Sequence, residues 1–192
     1  MIRETPGPKY LIRPTVESLI RTYLGAKDDN RPHLIAHSFA PDASLSMSVK
    51  SDAITFPAQT EGQAAIADVL VRRFGQTYEN VYTFCLDTPP SDDAAERYVC
   101  DWLVGMTDKA TGSVRVGCGS YVWTFTGSGQ ALRVKGLEIT IEAMEVLAAE
   151  HAEAVLDDWL GHLPYPWCGA SAALEAAPAL PALAPVLDYL KK

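Results

Sequence analysis

Tyr121 and Glu138 are the residues of this sequence whose types and placing best suit proton chemistry on a small molecule. They lie in two alternating segments, Ser113–Thr126 and Gln130–Glu142, on either side of the turn Gly127-Ser128-Gly129-Gln130. Treated as a four-residue loop, that turn pairs Thr126 with Ala131. Counting back sets Phe125 against Leu132, Trp123 against Val134, Tyr121 against Gly136 and Gly119 against Glu138. Opposed residues share a sheet face, so Tyr121, Trp123, Phe125, Leu132, Val134 and Glu138 are expected inside. Val122, Thr124, Arg133, Lys135, Leu137 and Ile139 are expected outside. A large polar side chain then faces a glycine twice, and glycine within a strand often marks the close approach of a ligand or of backbone. The pattern predicts a cavity with Tyr121 and Glu138 on its wall and Tyr23 opposite, on a helix.

In such a cavity desolvation disfavours the carboxylate, so Glu138 would carry the proton while Tyr121 and Tyr23 donate to a developing oxyanion. The expected lining is Met47, Phe56, Phe84, Trp102, Gly119, Trp123, Val134 and Gly136, which suits a small apolar ligand. Register decides the matter, because a slip of one residue sends Glu138 to the other face. Plainer readings stand beside these: Tyr23 as a core tyrosine, Glu138 as a solvated rim charge, Gly119 as a bulge.

Other chemistry finds less support. His33 and His37 are four apart on a helix, but no glutamate follows in the HExxH manner and no third ligand is evident, so exposed histidines are expected and no metal. His151 falls on an apolar stripe and is read as packed. Cys85, Cys100, Cys118 and Cys168 form no CxxC, which fits reduced, buried thiols. Gly117-Cys118-Gly119 lies within a strand and not before a helix, and no serine sits in a nucleophile elbow, so no cofactor is expected.

The 192 residues are 48% hydrophobic and 21% charged, an ordinary globular balance for one or at most two domains. A net charge of −8 argues against nucleic acid and anionic membrane surfaces. The first residues carry Pro6, Pro8 and charges in place of a signal-peptide core, and no apolar run is long enough to span a bilayer. A cytoplasmic location follows as an expectation.

These residues need elements to hold them. Thr15 is placed to cap a helix carrying Val16, Leu19, Ile20, Tyr23 and Leu24. A short helix over 32–39, a strand over 43–49 and a helix from Gln63 to Phe74, ended by Gly75, follow. The period then changes to two, giving four strands over 81–86, 96–107, 113–126 and 130–142. Helices followed by a strand meander indicate an α+β fold. From Glu142 a helical stripe of Met144, Leu147, Ala148, His151, Val155 and Trp159 predicts a long helix ending near Gly161. The Pro- and Ala-rich remainder is too apolar for a solvated linker and is read as an arm packing on the body or on a second subunit. Residues 1–145 are thus expected as the main domain, with 146–192 as a C-terminal extension.

This order resembles the nuclear transport factor 2-like superfamily, also called cystatin-like or SnoaL-like. The segment IRTYLGAKDDNRPHLIAHSFAPDASLSM resembles its opening, ending in the signature Phe39-Ala40-Pro41-Asp42-Ala43; EGQAAIADVLVRRF resembles its third helix; GSYVWTFTGSGQALRVKGLEI resembles its closing hairpin. The resemblance covers about residues 14–143 and implies a curved antiparallel sheet forming a cone closed by the N-terminal helices. Compared with ketosteroid isomerase, Tyr23 falls on the oxyanion tyrosine, Met47 on the aspartate base, and Tyr121 on the protonated aspartate. Methionine cannot take a proton, so the same isomerisation is not expected here. No histidine–aspartate arrangement matches scytalone dehydratase.

The fold alone does not give the chemistry. One expectation is a cofactor-free isomerase, dehydratase or cyclase acting on an apolar carbonyl or hydroxyl compound through Glu138, Tyr121 and Tyr23. The alternative is a non-catalytic ligand-binding or assembly module, which Met47 at the base position favours. Protein transport, as in the fold's namesake, would need a partner that the sequence does not reveal. The resemblance implies homodimers through the outer sheet face, where Val122, Thr124, Leu137 and Ile139 are expected.

Overall fold

A computed structural model describes residues 13–192; the proline-bearing start of the chain, on which the signal-peptide reading rests, lies outside the described residues. Helix α1 (Val16–Asp28) begins as its sequence dictates. The Thr15 hydroxyl accepts from the Ser18 N–H at 3.1 Å and the Ser18 hydroxyl accepts from the Thr15 N–H at 2.8 Å, a reciprocal cap of the kind that contributes about 1 kcal/mol. Val16, Leu19, Ile20, Tyr23 and Leu24 are all buried.

A tight turn, Pro32–Leu34, and α2 (Ile35–Ser38) follow. Phe39 already opens strand β1 (Phe39–Val49), so the second helix stops one residue before the expected end. A short edge strand, β2 (Gln59–Glu61), lies antiparallel to β1 and has no signature in the sequence beyond three polar residues. Next come α3 (Gln63–Ala67), a wide π-helical stretch over Asp68–Arg73, and α4 (Phe74–Thr77). Gly75 lies within α4 and does not end the helix: its absent side chain admits Asn30, whose Cγ would lie 2.7 Å from a Cβ there. Strands β3 (Tyr78–Cys85), β4 (Arg97–Asp108), β5 (Val114–Thr126) and β6 (Arg133–Leu147) complete a curved sheet in the order β2-β1-β6-β5-β4-β3. All pairs are antiparallel except β1 with β6, so the cone is mixed at that one seam.

Between its turn and Gly119, the hairpin of β5 and β6 departs from a regular count in two places. Its connection, Gly127–Leu132, is six residues long and contains a single helical turn over Gly129–Ala131, so Thr126 pairs with Arg133. Between the pairs Thr124–Gly136 and Phe125–Val134, Lys135 bulges out as an extra residue. Together they offset the register by three. Tyr121 faces Ile139, Trp123 faces Leu137, Val122 faces Glu138, and Gly119 faces Ile141. An odd offset reverses the faces. Leu137 and Ile139, expected outside, are buried on the inner face, and Glu138, expected inside, is exposed on the outer one.

Strand β6 also runs further than expected. Met144 and Leu147 belong to it, paired with Gly117 and Val114, because β5 begins at Val114 and its first residues need a partner. The expected long helix is therefore replaced by short turns over Ala149–His151, Glu153–Asp157 and Leu160–His162. Helices α5 (Ala170–Ala176) and α6 (Ala184–Leu190) end the chain.

The sheet thus separates two apolar cores. The inner one packs α1–α4 on Leu45, Trp102, Tyr121, Trp123, Leu137 and Ile141. The outer one sets the C-terminal segment, through Val155, Trp159, Leu160, Leu183 and Val186, on Phe84, Leu103, Val116 and Cys118. Gly105 makes this docking possible, since a Cβ there would lie 2.1 Å from the Leu160 Cδ1. The other half of the outer face stays open around Val99, Val122, Thr124 and Glu138.

Candidate functional site

The inner face of the sheet and the helices line a cavity of about 40 Å³, walled by aromatic and aliphatic side chains with Lys27 and Thr83 at one end. Tyr23 comes from α1, Met47 from β1, Trp102 from β4, Tyr121 from β5 and Ile139 from β6. The aromatic wall is continuous: Trp102 stacks on Tyr121 at 5.6 Å between centroids, and Tyr23 meets Tyr121 edge-on at 6.3 Å and Trp123 at 5.3 Å. Burial pushes the Tyr23 hydroxyl well above the ordinary phenol range, with a contact from the Tyr121 hydroxyl acting against the shift. The Tyr121 hydroxyl is raised by burial first and then by Tyr23. Both stay protonated and able to donate. Trp102 adds an indole N–H that is buried and has no partner, which is unusual for tryptophan.

The polar end belongs to Lys27, one helical turn beyond Tyr23 and only 6% exposed. Its ammonium donates to Asp28 Oδ1 at 2.7 Å and to Thr83 Oγ1 at 2.7 Å, and lies 4.7 Å from the centroid of the Phe74 ring. Asp28 is the counter-charge, and its oxygens are fully engaged. They accept from the Thr83 N–H and hydroxyl, each at 2.8 Å, and from the Tyr165 hydroxyl at 2.9 Å. Lysine and aspartate are almost never buried unpaired, and here pairing is complete. Lys27 is a cavity residue that the sequence reading missed. The signal was available: Val16, Ile20, Tyr23 and Lys27 step along one face of α1, so the lysine falls on the buried stripe.

The structure brings together Tyr23, Met47, Phe56, Trp102 and Tyr121 around this cavity. It moves others away. Glu138 is exposed across from Val122 and cannot meet the tyrosines. Gly136 lies on the outer face near Thr124 and Ser44, and Phe84 lies under the C-terminal segment, because Thr83 and Cys85 on either side of it are the residues that turn inward. Gly119 is filled by protein and not by ligand space: a Cβ there would lie 1.8 Å from the Thr140 carbonyl oxygen and 2.9 Å from the Trp102 ring. Trp123 and Val134 are core residues behind the wall.

His33 and His37 are exposed, and His151, expected to be packed, is partly open beside Glu150. Among the described residues no group of three or more His, Cys, Asp or Glu side chains is placed to hold a metal ion. None of the described helices is long and apolar enough to cross a membrane.

By sequence, no family model and no curated protein matches the chain. Solved structures do match by shape. One is a nuclear transport factor 2-like superfamily protein from Salmonella enterica, 18% identical, with a TM-score of 0.52 over 67% of this chain and 89% of that one. The chain has the nuclear transport factor 2-like fold. Also similar are a hexachlorocyclohexane dehydrochlorinase from Novosphingobium barchaimii, 13% identical, with a TM-score of 0.52 over 68% of this chain and 86% of that one, and a protein of ketosteroid isomerase-like fold from Catenulispora acidiphila in complex with trimethylamine, 15% identical, with a TM-score of 0.51 over 65% of this chain and 85% of that one. In this nuclear transport factor 2-like cone the cavity lies inside the curve of the sheet, and the C-terminal segment lies on the opposite face.

Proposed function

We propose that the cavity binds a small, neutral, largely apolar molecule through a hydrogen-bond acceptor such as a carbonyl oxygen, without general-base catalysis. One observation carries this reading. Four of the side chains lining the cavity carry hydrogen-bond donors, Tyr23, Tyr121, Lys27 and Trp102, and none carries a carboxylate or an imidazole. A general base needs a free lone pair within hydrogen-bond reach of the proton it takes. Met47 offers only a thioether sulfur, whose lone pairs are not basic, Glu138 is on the wrong face, and every Asp28 oxygen already accepts hydrogen bonds.

The charge balance supports a neutral ligand. Lys27 is balanced by Asp28, so an added carboxylate would enter without a counter-ion and a cation would meet an ammonium. At about 40 Å³ the cavity is much smaller than ordinary ligand pockets of roughly 300–1,000 Å³, so occupancy requires its walls to yield. The test is a thermal-shift screen of small cyclic ketones, alcohols, carboxylates and amines. Ketones are expected to raise the melting temperature in a saturable manner, while carboxylates and amines do not. No stabilisation by any ketone would refute the reading.

A homodimer through the open half of the outer face, around Val99 and Val122, is the second part of the proposal. Val99 is 44% exposed there. Light scattering on the purified chain tests it, and a monomer at high concentration would reject it.

A further inference from the structure

We infer that the cavity is the inner half of an elongated binding site, and that Phe56 is the gate between it and a vestibule outside. The inference rests on the binding reading above and extends it to the shape of the ligand. Phe56 and Phe74 line the cavity, and the same two rings line a separate space of about 220 Å³ that also touches Thr55, Arg73, Thr77 and Tyr78. Two aromatic side chains therefore stand between a space too small for most ligands and one several times larger.

The two rings are not held alike. Phe74 is buried, carried by α4, set 5.1 Å from the Tyr78 ring and placed over the Lys27 ammonium. Phe56 is only partly buried and comes from the segment joining β1 to β2, which forms neither helix nor strand. That segment is pinned by the Lys50 N–H on the Ile141 carbonyl at 2.9 Å, by the Ala53 carbonyl on Arg115 Nη1 at 2.6 Å, and by the Ala58 carbonyl on the Met47 N–H at 2.9 Å. Phe56 sits between the last two of these anchors. A rotation of its ring joins the two spaces with every anchor kept, whereas moving Phe74 would disturb the Lys27 ammonium. A ligand that fills both halves has an acceptor head among Tyr23, Tyr121 and Lys27, an apolar neck between the two rings, and a far end among Thr55, Thr77 and Arg73.

The experiment is calorimetric and stopped-flow titration of the full chain with cyclohexanone and its 4-methyl, 4-ethyl and 4-propyl derivatives. With wild-type protein, affinity should rise about fourfold per added methylene as the arm passes the gate, which corresponds to ~0.8 kcal/mol per buried CH₂. Phe56→Ala should raise the association rate constant about tenfold or more across the series, and Phe56→Trp should lower it. Affinity that does not grow with arm length in the wild type, or rates indifferent to both substitutions, overturns the inference while the binding reading stands. If cyclohexanone itself shows no saturable binding, the binding reading fails first. The wild-type series alone decides the inference should either variant fail to fold.

Discussion

The Lys27 ammonium rests 2.7 Å from the Thr83 hydroxyl, and that hydroxyl in turn donates to Asp28 at 2.8 Å. Helix α1 and strand β3 are joined through this contact at the polar end of an otherwise apolar cavity. The C-terminal segment reaches the same cluster. Tyr165 donates to Asp28, the Trp167 indole N–H donates to Glu17 at 3.2 Å, and Cys85 of β3 bonds through its backbone to Pro166 and Cys168.

Breaking this cluster from one side should be costly. Lys27→Met leaves a buried carboxylate without its cation and should lower stability by about 3–5 kcal/mol. Adding Asp28→Asn removes the stranded charge and should recover a large part of that loss. Urea unfolding of the two single variants and the double variant checks both statements, and simple additivity would show that the pair is not coupled.

Removing the Tyr121 hydroxyl should separate binding from folding. Tyr121→Phe keeps the stacking on Trp102, so stability should change by about 1 kcal/mol or less. The affinity for a ketone should fall about tenfold, the equivalent of one hydrogen bond. Tyr23→Phe should behave in the same direction, and calorimetry on each variant gives the comparison.

Glu138→Gln should change neither stability, beyond about 0.5 kcal/mol, nor ketone affinity, because the side chain lies in solvent on the outer face. A strong loss of binding in this variant would place the ligand outside the cavity.

Alkaline pH should unfold the protein through its tyrosines. Both Tyr23 and Tyr121 have folded pKa values raised above the ordinary value of 10.0, chiefly by burial. Below pH 10 folded and unfolded chains hold these protons equally, so the contribution is fully present. Above it the unfolded chain releases them first, and stability falls as pH rises. Phenolate absorbance should therefore show a class of tyrosines that titrates only together with the loss of near-ultraviolet circular dichroism.

Truncation after Gly161 removes Leu163, Leu183 and Val186 from the outer core and should leave it partly uncovered, with Val155, Trp159 and Leu160 still in place. The expected outcome is self-association on gel filtration. A soluble, folded monomer would show that the segment is dispensable to the outer face.

Much of the fold was legible because local signals agreed with it. Thr15 marks the start of α1, and alternation marks β3, β4, β5 and the first part of β6. The Tyr121 and Trp123 faces were readable for the same reason. Glu138 was misplaced because a bulge at Lys135 and a six-residue turn carry no distinctive residue beyond the glycines, and each added residue changes the count. The stripe from Met144 to Trp159 reads as one helix, but β5 requires Met144 and Leu147 as strand partners, and tertiary pairing prevails. Lys27 was passed over because Lys27-Asp28-Asp29 looks like the solvated end of a helix. Its place on the buried stripe of α1 is a local signal, but the partner that satisfies its charge there, Thr83, is 56 positions away.

The most direct test of the cavity reading is a crystal structure of the complex with a heavy-atom-labelled ketone such as 4-bromocyclohexanone. Bromine and ring density are expected inside the sheet's curve, with the carbonyl oxygen about 3 Å from the Tyr121 hydroxyl, the Tyr23 hydroxyl or the Lys27 ammonium. Ligand bound only on the outer face, or a cavity still closed by its own side chains at saturating ketone, would contradict it.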